Sequence, residues 1–208
     1  MNSQGNGWRM FGAAFISLYT CTFKIKRKFW RLKFLLESAG FLSKVELGVG
    51  QRFDVPVRVG AGSGKLVIGD GVGFGWDAAP KLGSGTILLE PRTLDAEIQI
   101  GSGSMFSNNV SVIAMKKITI GKDCLIGDGV SIMDSDFHLI DPKMRRTGEV
   151  PVDPVFIGDN VWIGSRVLIL RGVSIGNNTV IGAGSVVTKS IPDNVLAVGV
   201  PARKLSDI

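Results

Sequence analysis

The chain has 208 residues, 45% of them apolar, with 28 glycines, two cysteines, one histidine and a net charge of +6. This composition argues against a disordered chain, a disulfide framework or a zinc site built from several cysteines and histidines, and two unrelated cysteines suit a reducing compartment. Residues 1–40 hold Arg9, Lys24, Lys26, Arg27, Lys28, Arg31 and Lys33 against Glu37, so the rest is neutral and offers nothing to a nucleic acid.

Residues 1–42 read as a basic, partly apolar helical arm. The apolar run at 8–23, WRMFGAAFISLYTCTF, is shorter than the roughly 20 residues of a transmembrane helix. Its positive charge follows the apolar part and no small-residue cleavage site appears, which is wrong for a signal peptide. Ile25, Phe29, Leu32 and Leu36 share one helical face. Two roles stay open for residues 8–36: packing on the body or a neighbouring subunit, or peripheral contact with anionic lipid. The tip, residues 1–7, is expected to be disordered.

From about residue 43 to 205 an aliphatic or aromatic residue recurs every six positions. Leu47, Phe53 and Val59 open the series; Leu88, Leu94, Ile100, Phe106, Val112 and Ile118 follow, then Ile120, Ile126 and Ile132. Ile157, Ile163, Ile169, Ile175, Ile181 and Val187 complete it without a slip. Four positions after a beat comes a second, small inward residue: Cys124, Val130, Val161, Val167, Val173, Thr179 or Ser185. A period of six suits neither a helix nor a free strand. It predicts a short strand and a corner, three to a coil of eighteen residues, with parallel strands bonded between coils. Slips at 60–67, 75–87 and 118–120 predict small corner loops or bulges.

Between Ile132 and Ile157 the beat stops, so the segment at about 133–155 leaves the coil as a loop. It carries Asp134, Asp136, His138, Asp141, Arg145 and Arg146, with prolines to stiffen it. His138 is the only imidazole in the protein, placed where the chain leaves a rigid scaffold, and is the candidate catalytic group.

DSDFH at 134–138, followed by NVWIGS, IGAGSVVTK and GVPARK in that order, resembles the hexapeptide-repeat sugar O-acetyltransferases. The likeness covers about residues 98–204 and is nearest to enzymes acetylating O-antigen, capsule or other polysaccharide sugars, with maltose and galactoside acetyltransferases more distant. It implies an all-β fold, the left-handed parallel β-helix, and acetyl transfer from acetyl-coenzyme A (acetyl-CoA), a co-substrate and not a resident cofactor, to a sugar hydroxyl. By this resemblance His138 is the general base, Asp136 or Asp134 can orient it, and Asn109 binds the acceptor. Trp162, Ser165, Ala183, Thr188, Lys189, Arg203 and Lys204 match or neighbour positions on the coenzyme A side. It further implies a homotrimer with sites between prisms, no metal, an acceptor that is free, nucleotide-linked or lipid-linked, and a cytoplasmic location, at most peripheral at the inner membrane face. A γ-type carbonic anhydrase needs three histidines, and a sugar-nucleotide pyrophosphorylase needs a nucleotide-binding domain for which there is no room. N-acetylation of an amino sugar and a non-catalytic scaffold stay open.

Overall fold

The structure, a computed structural model, describes residues 5–76, 79 and 84–208, and for residues 5–21 and 23 the backbone alone. The strands form three sheets that wall a triangular prism. The first sheet runs from Lys44–Leu47 to Ser174–Ile175, the second from Arg52–Phe53 to Ala202–Asp207, the third from Val57–Arg58 to Val186–Val187. The period of six causes this. Ile157 pairs with Ile175, Ile163 with Ile181 and Ile169 with Val187, so the chain returns to each wall after eighteen residues. All six point inward and are at most 3% exposed. Among the described residues the strands of these sheets pair in parallel, except that Val195–Gly199 and Ala202–Asp207 close the second sheet as an antiparallel pair.

The second inward slot is filled as its size requires. Cys124, Val130, Val161, Val167, Val173, Thr179 and Ser185 are all buried. The two hydroxyls there are satisfied: Thr179 Oγ1 donates to the Pro192 carbonyl at 2.8 Å, and Ser185 Oγ accepts the Gly199 amide at 3.0 Å. Asn160, Asn178 and Asn194 turn successive corners between the first and second sheets with φ of 54°, 53° and 56°, a region asparagine tolerates. Their side-chain amides bond in a ladder at 3.0 Å per step. Gly101 allows the coils to meet at a corner, because a Cβ there would lie 2.5 Å from the Gly121 carbonyl carbon.

The slip at 118–120 is alternation inside one strand. Lys65–Ile68, Glu97–Ile100 and Lys117–Ile120 each bury two residues, such as Ile118 and Ile120. Leu88 and Leu94, expected to point inward, do not. The strand Ile87–Pro91 buries Ile87 and Leu89 with Leu88 half-buried, and Leu94 is 71% exposed in the turn before Ala96. That corner is longer than a six-residue count allows.

One helix, α1 (Gly5–Phe41), packs on strands Arg52–Phe53 and Val57–Arg58. Gly5–Gly7 are helical, correcting the expected disorder; residues 1–4 of that tip lie outside the described residues. Phe34 is fully buried and extends a stack through Phe53, Phe74 and Phe106, with ring centroids 5.2, 5.2 and 5.4 Å apart. Beside it Arg27 reaches the buried Asp54, and Glu37 accepts from Arg58 Nε at 2.6 Å and from the Val59 amide at 3.1 Å. The face of Ile25, Phe29, Leu32 and Leu36 points away, each residue 57–67% exposed.

Burial pushes the Cys124 thiol above its ordinary 9.0, against hydrogen bonds with Val161 and Ser104 that act the other way. A thiol raised only in the folded state contributes stability that is whole below about pH 9 and fades as pH rises through the folded value. The melting temperature is therefore expected to fall more steeply above pH 9 in the parent than in Cys124→Val, which carries the residue found at Val130 and Val161 in the same slot. Parallel melting curves across that range would refute this.

Candidate active site

The long loop leaves the corner between the third sheet, at Ser131–Met133, and the first, at Val155–Ile157. Its neck is tied by Asp134. That carboxylate is fully buried and accepts the amides of Met115, Lys116 and Lys117 at 2.7, 2.8 and 2.7 Å, fixing the tight turn of the preceding coil. Ser135 then bridges Val152 antiparallel, and the Asp136 amide donates to the Pro151 carbonyl at 3.1 Å. Arg171, from the next coil, clasps both sides of the neck through Asp136, at 3.1 Å, and Asp153. Hydrogen bonds from Asp136 first and Asp153 second hold its guanidinium further above its usual range. Arg92, two coils back at the same corner, lies 5.0 Å over the Phe137 ring.

His138 follows, exposed to solvent. Its Nδ1 lies 3.2 Å from the backbone carbonyl of Arg145. A carbonyl only accepts, so Nδ1 is the donor in this bond and Nε2 is the ring nitrogen without a protein partner among the described residues. Arg145 curls back to donate from Nη2 to the Ile140 carbonyl at 3.0 Å and from Nε to the Leu139 carbonyl at 3.4 Å, so one residue holds both the loop tip and the imidazole. Neither carboxylate bonds the ring in this structure: Asp134 is occupied by three amides and Asp136 by Arg171, and the imidazole bonds the Arg145 carbonyl. Nothing in the spacing marked Arg145, Arg171 or Arg92, whose partners lie across turns or coils. Elsewhere on this loop, Asp136, Leu139, Ile140, Asp141, Met144, Pro151 and Arg171 line a cleft of about 320 Å³, of which His138 is not a lining residue.

The other candidates divide by corner. Thr188 and Lys189 follow Val186–Val187 and share the corner of the His138 loop, toward the far end of the prism. Asn109, Ser165 and Ala183 lie at the corner between the second and third sheets. Asn109 turns it with φ 58° and donates from Nδ2 to Asp128 Oδ1 at 2.9 Å. Trp162 is 55% exposed on the second sheet, paired with Leu125, which in turn pairs with Met105. These three line a cleft of about 310 Å³ with Trp76, Ser107 and Gly127. Arg203 and Lys204 sit on the terminal strand Ala202–Asp207, where Lys204 Nζ lies 2.5 Å from Asp207. Within one protomer the imidazole and the Trp162 cleft therefore belong to different corners. Among the described residues no group of histidine, cysteine and carboxylate side chains is placed to hold a metal ion.

Residues 154–189 match the model of the bacterial transferase hexapeptide, six repeats. The galactoside O-acetyltransferase of Escherichia coli K12 is 43% identical over 113 residues, 54% of this chain and 55% of that protein. A second relative from the same organism, named for O-acetyl transfer in lipopolysaccharide biosynthesis, is 40% identical over 114 residues, 47% of this chain and 57% of its own. A crystal structure of a hexapeptide-repeat acetyltransferase from Vibrio cholerae O1 biovar eltor, complexed with acetyl coenzyme A, matches with TM-score 0.51 and 37% identity, covering 53% of this chain and 60% of that one. The chain thus spans somewhat over half the length of the curated relatives it matches. The matched repeats are the same coils whose isoleucines stack eighteen residues apart, so sequence, register and likeness agree on the hexapeptide-repeat fold, the left-handed parallel β-helix.

Proposed function

We propose that this protein transfers an acetyl group from acetyl-CoA to a hydroxyl of a sugar, in the making of a cell-surface polysaccharide, with His138 as general base. The observation that carries the reading is the bond from His138 Nδ1 to the Arg145 carbonyl, which holds the ring on a tethered, solvent-exposed loop and leaves Nε2 for the substrate. A sugar hydroxyl is a weak nucleophile near neutral pH, and a positioned base contributes about a hundredfold to ten-thousandfold. Nε2 takes the hydroxyl proton as the oxygen attacks the thioester carbonyl carbon. The tetrahedral adduct then collapses, the carbon–sulfur bond breaks toward sulfur, and the imidazolium returns the proton to the departing thiolate. Ester and free thiol leave, and the ring is restored.

The donor side of the proposal uses the Trp162 cleft, whose apolar lining suits a pantetheine arm, with Ser165 and Ala183 on the adjoining corner. Because His138 issues from another corner, the complete site forms between copies, one giving the imidazole and its neighbour the cleft, as in a trimer of prisms about a threefold axis. The test is acetyl transfer from acetyl-CoA to a panel of free, nucleotide-linked and lipid-linked sugars, read by product mass and free thiol. Ester product on one acceptor class is expected. Absence of any ester sinks the transferase reading, and full activity from a sedimenting monomer sinks the shared site.

A further inference from the structure

Over residues 24–41 the helix α1 buries one face and leaves the opposite one bare. Trp30, Phe34 and Ser38 face the prism, while Ile25, Phe29, Leu32 and Leu36 form an exposed apolar stripe about 17 Å long. The spacing alternates four, three and four, and the sequence continues it back through Thr22, Leu18, Phe15, Phe11 and Trp8. A stripe of this kind suits either a second helix or a lipid surface.

Charge decides between them. Lys28 and Lys33 flank the stripe, Lys24 and Arg31 lie beyond Lys28, and all four are exposed. The one acidic residue of the helix, Glu37, is engaged with Arg58 and the Val59 amide on the prism side. Two copies packed stripe to stripe would set lysine against lysine with no carboxylate to answer it. On the flank toward the prism, Arg27, Lys28, Arg31 and Arg52 line a cleft of about 370 Å³ with Gly50, Gln51 and Phe53. Asp54, buried below, pairs with Arg27 and Arg52, so the cleft keeps a net positive charge.

We propose that α1 docks the protein on the surface of an anionic bilayer, the stripe Ile25, Phe29, Leu32 and Leu36 entering the headgroup–acyl boundary while Lys24, Lys28, Arg31 and Lys33 take lipid phosphates. The contact lies along the surface, since no helix among the described residues is long and apolar enough to cross a membrane. Apolar burial and basic attraction act together here, each weak alone, as stable peripheral anchoring requires. The inference stands apart from acetyl transfer and is read on vesicles, not on turnover.

The experiment sediments the full chain with vesicles of phosphatidylglycerol and phosphatidylcholine in equal parts, and with phosphatidylcholine alone. Binding to the anionic vesicles only is expected, weakened by salt. Phe29→Glu with Leu32→Glu, and separately Lys28→Glu with Arg31→Glu, are each expected to lower binding at least tenfold while melting with the parent. Equal binding to both vesicle types, no binding to either, or unchanged binding of both variants overturns the proposal. So does a fall in the vesicle-free molecular mass of the Phe29→Glu, Leu32→Glu protein, which would make the stripe a contact between copies.

Discussion

His138→Ala is expected to lower turnover by about a hundredfold to ten-thousandfold while leaving the melting temperature and the affinity for acetyl-CoA where they were. The side chain is exposed and its single hydrogen bond among the described residues is to a backbone carbonyl, so its removal leaves no buried group unpaired. The loop neck keeps its ties through Asp134, Asp136, Asp153 and Arg171. Turnover, melting and donor binding measured on one preparation separate the outcomes. Loss of turnover alone supports proton abstraction; unchanged turnover makes the prism a scaffold and ends the proposal.

Asp134→Ala is expected to be a strongly destabilising change, about 3 kcal/mol, because it removes a buried carboxylate that accepts the amides of Met115, Lys116 and Lys117 at a part-buried turn. At the usual sensitivity of a chain this size the melting temperature falls by roughly ten degrees. Asp134→Asn should recover little: Lys116 and Lys117 share one carboxylate oxygen and Met115 uses the other, so an amide side chain turns an N–H donor toward at least one N–H. Activity falls as well, since His138 hangs from the same neck, and the melting curve tells the two effects apart. An Asp134→Ala protein that melts with the parent and loses only turnover would return this carboxylate to the role expected from sequence, acting on the imidazole.

Why the coils were legible and the loop's tethers were not follows from where each interaction closes. Ile157 through Val187 reveal themselves because every inward position repeats at the same offset as its vertical neighbour. The count failed at Leu88 and Leu94, where a corner of different length resets the phase before Ala96. His138 drew attention because the beat falls silent around it, a one-dimensional signal. The partners of Asp134 lie some eighteen residues away and those of Asp136 thirty-five, each in another coil, so proximity along the chain suggested the imidazole when geometry supplied amides and a guanidinium. The buried face of α1 was hidden for a similar reason: its pattern shows a stripe, and only the stack of Phe34 on Phe53 tells which side the prism takes.

The docking of α1 also covers one rim of the prism. A β-solenoid has an open rim at each extremity, where strands with unused donors and acceptors invite another molecule to continue the winding, and repetition of that event makes a fibril. Here the helix lies across the rim at Arg52–Phe53 and Val57–Arg58, and Glu37 consumes the Val59 amide. At this rim the helix therefore stands where a second prism would have to continue the winding, and it blocks head-to-tail repetition there.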